Sequence, residues 1–239
     1  LTACDEVPSQ QGVSVPPAAT TGSATTPATT PGAMVPLPNI VKPVGPNTDS
    51  SAPKTADLPL TGFESVSAKG NCEVTITNGE PKVTVECNEK SFDKIKVTTA
   101  GKELVITADG VDAAKAIVTV SAPALTSFST GSNIMGHIKD YKAPALTVAT
   151  KDMSMIDGNG GVDSLTATAD GSSSLRLKLL EAKSANVTAT GRCFVELKVS
   201  DSCIATASGS SVVTVDGNPK TFEKHASDKA IINKPRSAQ

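Results

Sequence analysis

From residue 125 onward, apolar and polar positions alternate in short runs, and a glycine or aspartate among small polar residues breaks the alternation about every twenty residues. Residues 165–177 give the phrase in clear form: L-T-A-T-A-D-G-S-S-S-L-R-L. Similar phrases occupy 125–135, 146–156, 185–195 and 203–213. The break moves from Gly131 to Asp152, Gly171, Gly191, Gly209 and Asp228. Alternation with period two is the signature of a strand with one face inward. A period near twenty is the signature of a solenoid, in which each unit buries its apolar face only against copies of itself.

The pattern therefore predicts an all-β chain: a right-handed parallel β-helix, or solenoid, with rungs of about 20 residues. Two columns should form its core. Six residues before each break stand Leu125, Leu146, Leu165, Ala185, Cys203 and Phe222, and four after it stand Met135, Ile156, Leu175, Val195, Val213 and Ile232. The break itself needs a sharp turn, which suits glycine; aspartate tolerates a left-handed conformation better than most residues. The opposite parity is rich in threonine. Thr126, Thr147, Thr166, Asn186 and Ile204 form one outward column; Phe128, Ala149, Thr168, Thr188 and Thr206 form the next; Thr130, Lys151, Asp170, Thr190 and Ser208 form a third. Thr suits strands and solvent alike. Of these positions, Thr166, Thr168, Thr188 and Thr190 are the candidate ligand-binding residues.

Ahead of the solenoid the pattern predicts a region rich in β-hairpins. Residues 63–68 alternate and start the ordered domain. The run C-E-V-T-I-T-N-G-E-P-K-V-T-V-E-C, residues 72–87, reads as two strands joined at Asn78-Gly79, with Cys72 and Cys87 opposite or diagonal. Strands at 94–98 and 103–107 flank the turn Ala100-Gly101-Lys102, and a further strand at 116–120 leads into the first rung.

Three stretches carry a family resemblance: F-E-S-V-S-A-K-G-N-C-E-V-T-I-T-N-G, then K-E-L-V-I-T, then A-I-V-T-V-S-A-P-A-L-T-S-F-S-T-G-S-N-I. Together with the ending C-I-A-T-A-S-G-S-S-V-V-T-V-D-G-N-P-K-T-F, they resemble the head GIN domain of putative auto-transporter adhesins. The resemblance covers residues 63–234. It implies an all-β solenoid and a cell-envelope or surface location.

The start of the chain changes the picture. Leu1-Thr2-Ala3-Cys4 resembles the lipobox of bacterial lipoproteins, in which the cysteine after the cut carries acyl chains. Acyl chains anchor a protein by roughly 0.8 kcal/mol per buried methylene. Eleven of the sixteen prolines precede Leu60, among Thr, Ala, Ser and Val with few charges, and every Phe follows it. Such a segment cannot offset its ordering entropy and reads as a disordered, partly polyproline II stalk. The expected domains are thus 1–4 (lipobox remnant with lipidated Cys4), 5–60 (linker), 61–234 (head) and 235–239 (tail).

Composition narrows the functions. Net charge is −2 with no basic block, which argues against nucleic acid. Aromatics are 3 % of residues and Trp is absent, which suits thin aliphatic cores. His137 and His225, the only histidines, stand in different columns and make no catalytic cluster. Asp157-Gly158-Asn159-Gly160-Gly161 reads as a loose turn whose spacing fits neither an EF-hand loop nor the RTX repeat, so no metal or cofactor is expected. Four cysteines besides Cys4 in an exported protein favour disulfides, with Cys72–Cys87 the better pair and Cys193–Cys203 the other.

The leading expectation is a lipid-anchored cell-envelope protein, in the inner or outer membrane, with a non-catalytic head that binds a glycan or protein outside the membrane. The head is also open to self-association. An envelope sensor or regulatory subunit is the alternative, and a polysaccharide-active enzyme is the third reading.

Overall fold

The computed structural model describes residues 53–110 and 116–234. Its regular structure is β throughout, apart from one helical turn, α1 (Glu89–Phe92). Four long strands form the body: β9 (Met135–Thr150), β10 (Met155–Gly171), β11 (Ser174–Gly191) and β12 (Phe194–Ala207). They stack in parallel and in register, so that Leu146, Leu165, Ala185 and Cys203 stand above one another. β8 (Ser127–Ser132) precedes them; β13 (Val212–Asp216), β14 (Thr221–Ala226) and β15 (Ile231–Asn233) follow.

Each rung has three sides. Along β11 the buried residues fall into groups: Leu175 and Leu177, then Leu180 and Ala182, then Ala185, Val187 and Ala189. They are two residues apart within a group and three between groups, so the chain turns twice inside one strand. The first side of this rung is 174–177, the second 179–182 and the third 184–190.

A corner closes each rung between the third side and the next first side. Ser132, Asp152, Gly171, Gly191, Gly209 and Asp228 occupy it with positive φ, eighteen to twenty residues apart. At Gly191 a Cβ would lie 2.6 Å from the carbonyl oxygen of Gly171, and at Gly209 it would lie 2.7 Å from that of Gly191, so glycine is required there. The two aspartates use their side chains instead. Asp152 Oδ2 accepts from the Ser132 N–H at 3.0 Å, and Asp228 Oδ2 accepts from the Gly209 N–H at 3.1 Å. Two residues past the corner, Ser154, Cys193 and Ser211 turn inward and donate to the carbonyls of Lys151, Thr190 and Ser208 at 2.6, 3.0 and 2.8 Å. These ties let small polar groups sit inside an apolar core.

The expected core columns hold from the second rung to the fifth: Leu146, Leu165, Ala185, Cys203, Ile156, Leu175, Val195 and Val213 are buried, as is Ile232. On the last rung Phe222, expected inside, is only half-buried, because β14 ends the stack and no further third side among the described residues covers it. The first rung is one residue out of phase. Its left-handed corner is Ser132, not Gly131. Phe128 and Thr130, expected outside, are buried, while Met135, expected inside, is 45 % exposed and Ile134 is buried in its place. Tyr141 accounts for the slip. Its ring is fully buried, and its hydroxyl accepts from the Leu125 N–H at 2.6 Å and donates to the Leu125 carbonyl at 2.7 Å. Leu125 is thereby held inward, Thr126 points out, and the alternation restarts at Phe128. Gly136 makes room for the displaced ring: a Cβ there would lie 2.8 Å from Phe128 Cε1.

The lower end is closed by β1 (Pro53–Leu58), β2 (Ser65–Gly70), β3 (Glu73–Thr77), β4 (Lys82–Asn88), β5 (Ile95–Ala100), β6 (Glu103–Ala108) and β7 (Ala116–Ser121). β5 and β6 form the expected antiparallel pair, and β2 lies parallel between β6 and β8. The expected hairpin of β3 and β4 is absent, because β7 lies between them, parallel to β3 and antiparallel to β4. Cys87 pairs with Ala116 and Glu73 with Ile117, which puts Cys72 level with Ala116 on its other flank. Two strand spacings, roughly 9.6 Å, separate the cysteines, beyond the ~7 Å reach of a disulfide. Cys193 lies at the corner and Cys203 at the start of a third side, so that pair is not bonded either. All four are free, buried thiols.

Two more expectations change. β1 lies inside the segment read as linker, so residues 53–58 belong to the folded head. The stretch 157–161 is not a turn but part of β10, with a bulge between Asp157 and Asn159. Gly160 (φ 133°) passes so close to Tyr141 that a Cβ would overlap its carbonyl oxygen. Cys4 and the tail 235–239 lie outside the described residues.

Two predictions follow from this packing. Tyr141→Phe should strip Leu125 of both backbone partners and cost about 1–3 kcal/mol, lowering the urea midpoint with little change in slope. The second concerns alkali. Burial pushes Cys72 up to about 12 and Cys203 up to about 11 from 9.0, and it raises the Tyr141 hydroxyl as well. The unfolded chain then releases protons before the folded one does. Stability is fully present below pH 9 and should fall as pH rises toward 11, measured by urea titrations across that range.

Candidate functional site: the hydroxyl face of the third side

The third side presents a flat, polar sheet. Thr147, Thr166, Asn186, Ile204 and Glu223 form one outward column, and Ala149, Thr168, Thr188, Thr206 and His225 form the next. Thr190 stands beside Asp170 in the column nearest the corner. All four candidate residues, Thr166, Thr168, Thr188 and Thr190, therefore point away from the core, and none is buried. Their hydroxyls make no hydrogen bond with the described residues. Neighbours within a column lie ~4.8 Å apart, and neighbours along a strand lie roughly 6.7 Å apart. The result is a lattice of free donors and acceptors.

A further column belongs to this face and was missed in the sequence reading. Ser164, Ser184, Ser202 and Thr221 stack where the second side meets the third. With Thr166, Asn186 and Ile204 they line a shallow groove of about 270 Å³. Its signal was present: each residue stands seven before a corner, one position beyond the columns inspected. Ser184 donates to the Asp163 carbonyl at 3.1 Å; the hydroxyls of Ser164, Ser202 and Thr221 have no partner among the described residues.

The second side, next to this groove, is charged but locally neutral. Lys183 meets Asp163 at 2.7 Å, Lys220 meets Asp201 at 2.7 Å, and Lys198 pairs with Glu181. Hydrogen bonding to Asp163 and to Asp201 raises the pKa of Lys183 and of Lys220 respectively. These cations are held by their own neighbours, so the groove is bounded by ion pairs rather than by a net charge.

The histidines lie apart. His137 is on the first side, with Nδ1 2.7 Å from Asp157 and Nε2 3.4 Å from Glu73. Thr75 adjoins it in the same column, but no hydrogen bond joins that hydroxyl to the ring, so the row is not a nucleophile–base–acid relay. His225 is on the third side and contacts Glu223 at 2.7 Å. Among the described residues no group of three or more His, Cys, Asp or Glu is arranged to hold a metal ion. Asn159, in the stretch expected to be a loose turn, donates to Asp140 Oδ1 at 2.7 Å.

The fold resembles solved bacterial proteins. One is a putative adhesin from Bacteroides fragilis NCTC 9343, with 14% identity, 78% of this chain and 98% of that chain covered, and a TM-score of 0.58. Another is a putative lipid binding protein from Parabacteroides distasonis ATCC 8503, with 15% identity, 77% and 97% covered, and a TM-score of 0.48. No curated protein matches the sequence. The family model described as "Putative auto-transporter adhesin, head GIN domain" matches residues 62–219, from just after β1 to the connection between β13 and β14. That span holds β2 to β13 and the corners from Ser132 to Gly209, and by it the chain belongs to the head GIN domain family of putative auto-transporter adhesins.

Proposed function

We propose that this protein is a lipid-anchored component of the bacterial cell envelope whose head is a non-catalytic binding module of adhesin type. The head engages a glycan, or another repetitive polymer outside the membrane, through the hydroxyl face of its third side. The supporting observation is the set of outward hydroxyls on Thr166, Thr168, Thr188 and Thr190, which repeat at the rung spacing and have no partner among the described residues. A polymer with regularly spaced hydroxyls can satisfy several of them at once, so that weak contacts add. No tryptophan is available for sugar stacking, and the single tyrosine is buried. Recognition by this face is therefore polar.

Anchoring rests on Leu1-Thr2-Ala3-Cys4 and on the Pro-rich segment behind it. No helix among the described residues is long and apolar enough to cross a membrane. A tether between Cys4 and Pro53 would let the head sample ligand at a distance from the lipid surface.

Two measurements test these readings. Lys placed together at Thr166, Thr168 and Thr188 should lower binding to cells and glycan arrays at least tenfold, about 1.4 kcal/mol, with the circular dichroism spectrum unchanged. Undiminished binding by the folded triple variant removes this face from the mechanism. For the anchor, labelled palmitate should enter the precursor in growing cells, and Cys4→Ser should abolish labelling and release the protein from membranes; equal labelling of both overturns it.

A further inference from the structure

The large apolar side chains that the head leaves exposed are not scattered. Among the described residues there are seven, and five of them, Ile117, Met135, Met153, Phe194 and Ile231, lie where the corner meets the first side. All but Met153 belong to one outward column. From Met135 upward it reads Met135, Met155, Ser174, Phe194, Val212 and Ile231. Below Met135 it continues through Glu73 to Ile117. The column crosses eight adjacent strands and so runs for ~34 Å along the solenoid axis. Two polar residues interrupt it. Glu73 turns its carboxylate toward His137 at 3.4 Å. Ser174 carries the one buried side-chain polar atom without a partner among the described residues. An apolar column of this length on an open sheet face marks an interaction surface.

The two flanks of the column differ in charge. The corner flank, two residues before it, holds Arg192 and Lys229. The inner flank, two residues after it, holds Asp157, Arg176 and Glu196. Arg192 and Glu196 stand on either side of Phe194, and neither is in an ion pair with a described residue.

A surface binds its own copy across a two-fold axis only if it is self-complementary. When the axis runs along the column, each column residue meets itself, and each corner-flank residue meets the inner-flank residue of the same rung on the second copy. Arg192 then meets Glu196 of the second copy, and the pair occurs twice. Met153 meets Asp157, Ser172 meets Arg176, and Lys229 meets Asn233, so no rung sets like charges against each other. Turning the copies antiparallel about Ser174 does the reverse: Arg176 faces its own copy, and Asp157 faces Glu196. Like charges in opposition cost affinity. The charges therefore select the parallel arrangement. It also gives Ser174 a partner. Its hydroxyl can donate and accept at once, so it bonds to its own copy on the axis, and the flexible Met155 beside it gives way. The column with its two flanks is roughly 20 Å wide, and two such strips face to face cover on the order of 1,400 Å², above the ~1,000 Å² that a specific interface needs.

We infer that the first side is the contact between two copies of this chain, packed side by side with parallel solenoid axes about a two-fold axis along the column. Met155 and Phe194 meet their own copies at the centre, and the two Arg192–Glu196 pairs close the rim. Both lower caps lie at the same end. The hydroxyl faces stay outside the contact, one on each flank, so one particle presents two of them and gains from binding at both.

Sedimentation equilibrium of the full chain carrying Cys4→Ser gives the test. The mass should rise from 24.2 kDa toward twice that value as concentration increases. Phe194→Glu should raise the dimer Kd roughly thirtyfold, as expected of a central aromatic anchor. Phe194 points outward, so the circular dichroism spectrum should not change. Arg192→Glu and Glu196→Arg should each raise Kd, and the two together should bring it back toward the starting value, an effect that a role within one copy does not produce. Ile231→Cys reads the direction. Only the parallel pair sets the two new thiols face to face, so a short bismaleimide should link them, while the four native head thiols stay buried. A single 24.2 kDa species at every concentration overturns the contact, and so does a dimer unchanged by Phe194→Glu. A dimer that fails to cross-link at Ile231→Cys overturns the parallel arrangement. A monomer that binds phosphatidylglycerol vesicles, and loses that binding with Phe194→Glu, assigns the column to the membrane surface and overturns the dimer.

Discussion

Parallel, in-register stacking works only if each rung brings the chain back to the same place one strand spacing higher. The corner is where that return is enforced. A left-handed residue recurs there on every rung, and at Gly191 and Gly209 the corner below leaves no room for a Cβ. Where the residue is aspartate, its carboxylate binds the backbone of the corner beneath, so the side chain compensates for the strained conformation. The inward Ser154, Cys193 and Ser211 tighten the same turn from inside. With the corner fixed, the alternation along each side decides which residues are buried, and one misplaced residue would invert a whole side.

That dependence explains what could be read from the sequence. The period located the corners, and from the second rung to the fifth the parity counted from each corner gave the core and the outward threonines correctly; on the last rung the inward parity leaves Phe222 half-buried and Lys224 exposed. The first rung failed because its phase is set by a contact from Tyr141 to Leu125, sixteen residues away, and not by local alternation. The cap failed for a related reason. Residues 72–87 alternate identically whether β3 and β4 pair directly or hold β7 between them, so parity could not reveal the inserted strand, and the inferred disulfide fell with the hairpin. The Ser164, Ser184 and Ser202 column obeyed the same count but lay one step beyond the positions inspected.

The three sides carry different chemistries on one scaffold. The third offers threonine hydroxyls with no partner among the described residues; the second offers cations and carboxylates that satisfy each other; the first offers exposed apolar side chains beside paired charges. Stacking makes each of these linear, since any residue type that recurs at one rung position becomes a line along the axis. A polymer or a flat surface can meet such a line at several points at once.

The second side has a consequence for how such a protein can change length. Asp163, Lys183, Asp201 and Lys220 stand in one vertical line, with Asp163 bonded to Lys183, Asp201 to Lys220, and Lys183 also within the field of Asp201. The sign alternates at each step. Copying a single rung into this line would set two like charges against each other, whereas copying two rungs together preserves the order. The backbone repeats every rung, but the charge pattern repeats every second one. The unit by which this solenoid can grow or shrink by gene duplication is therefore the pair.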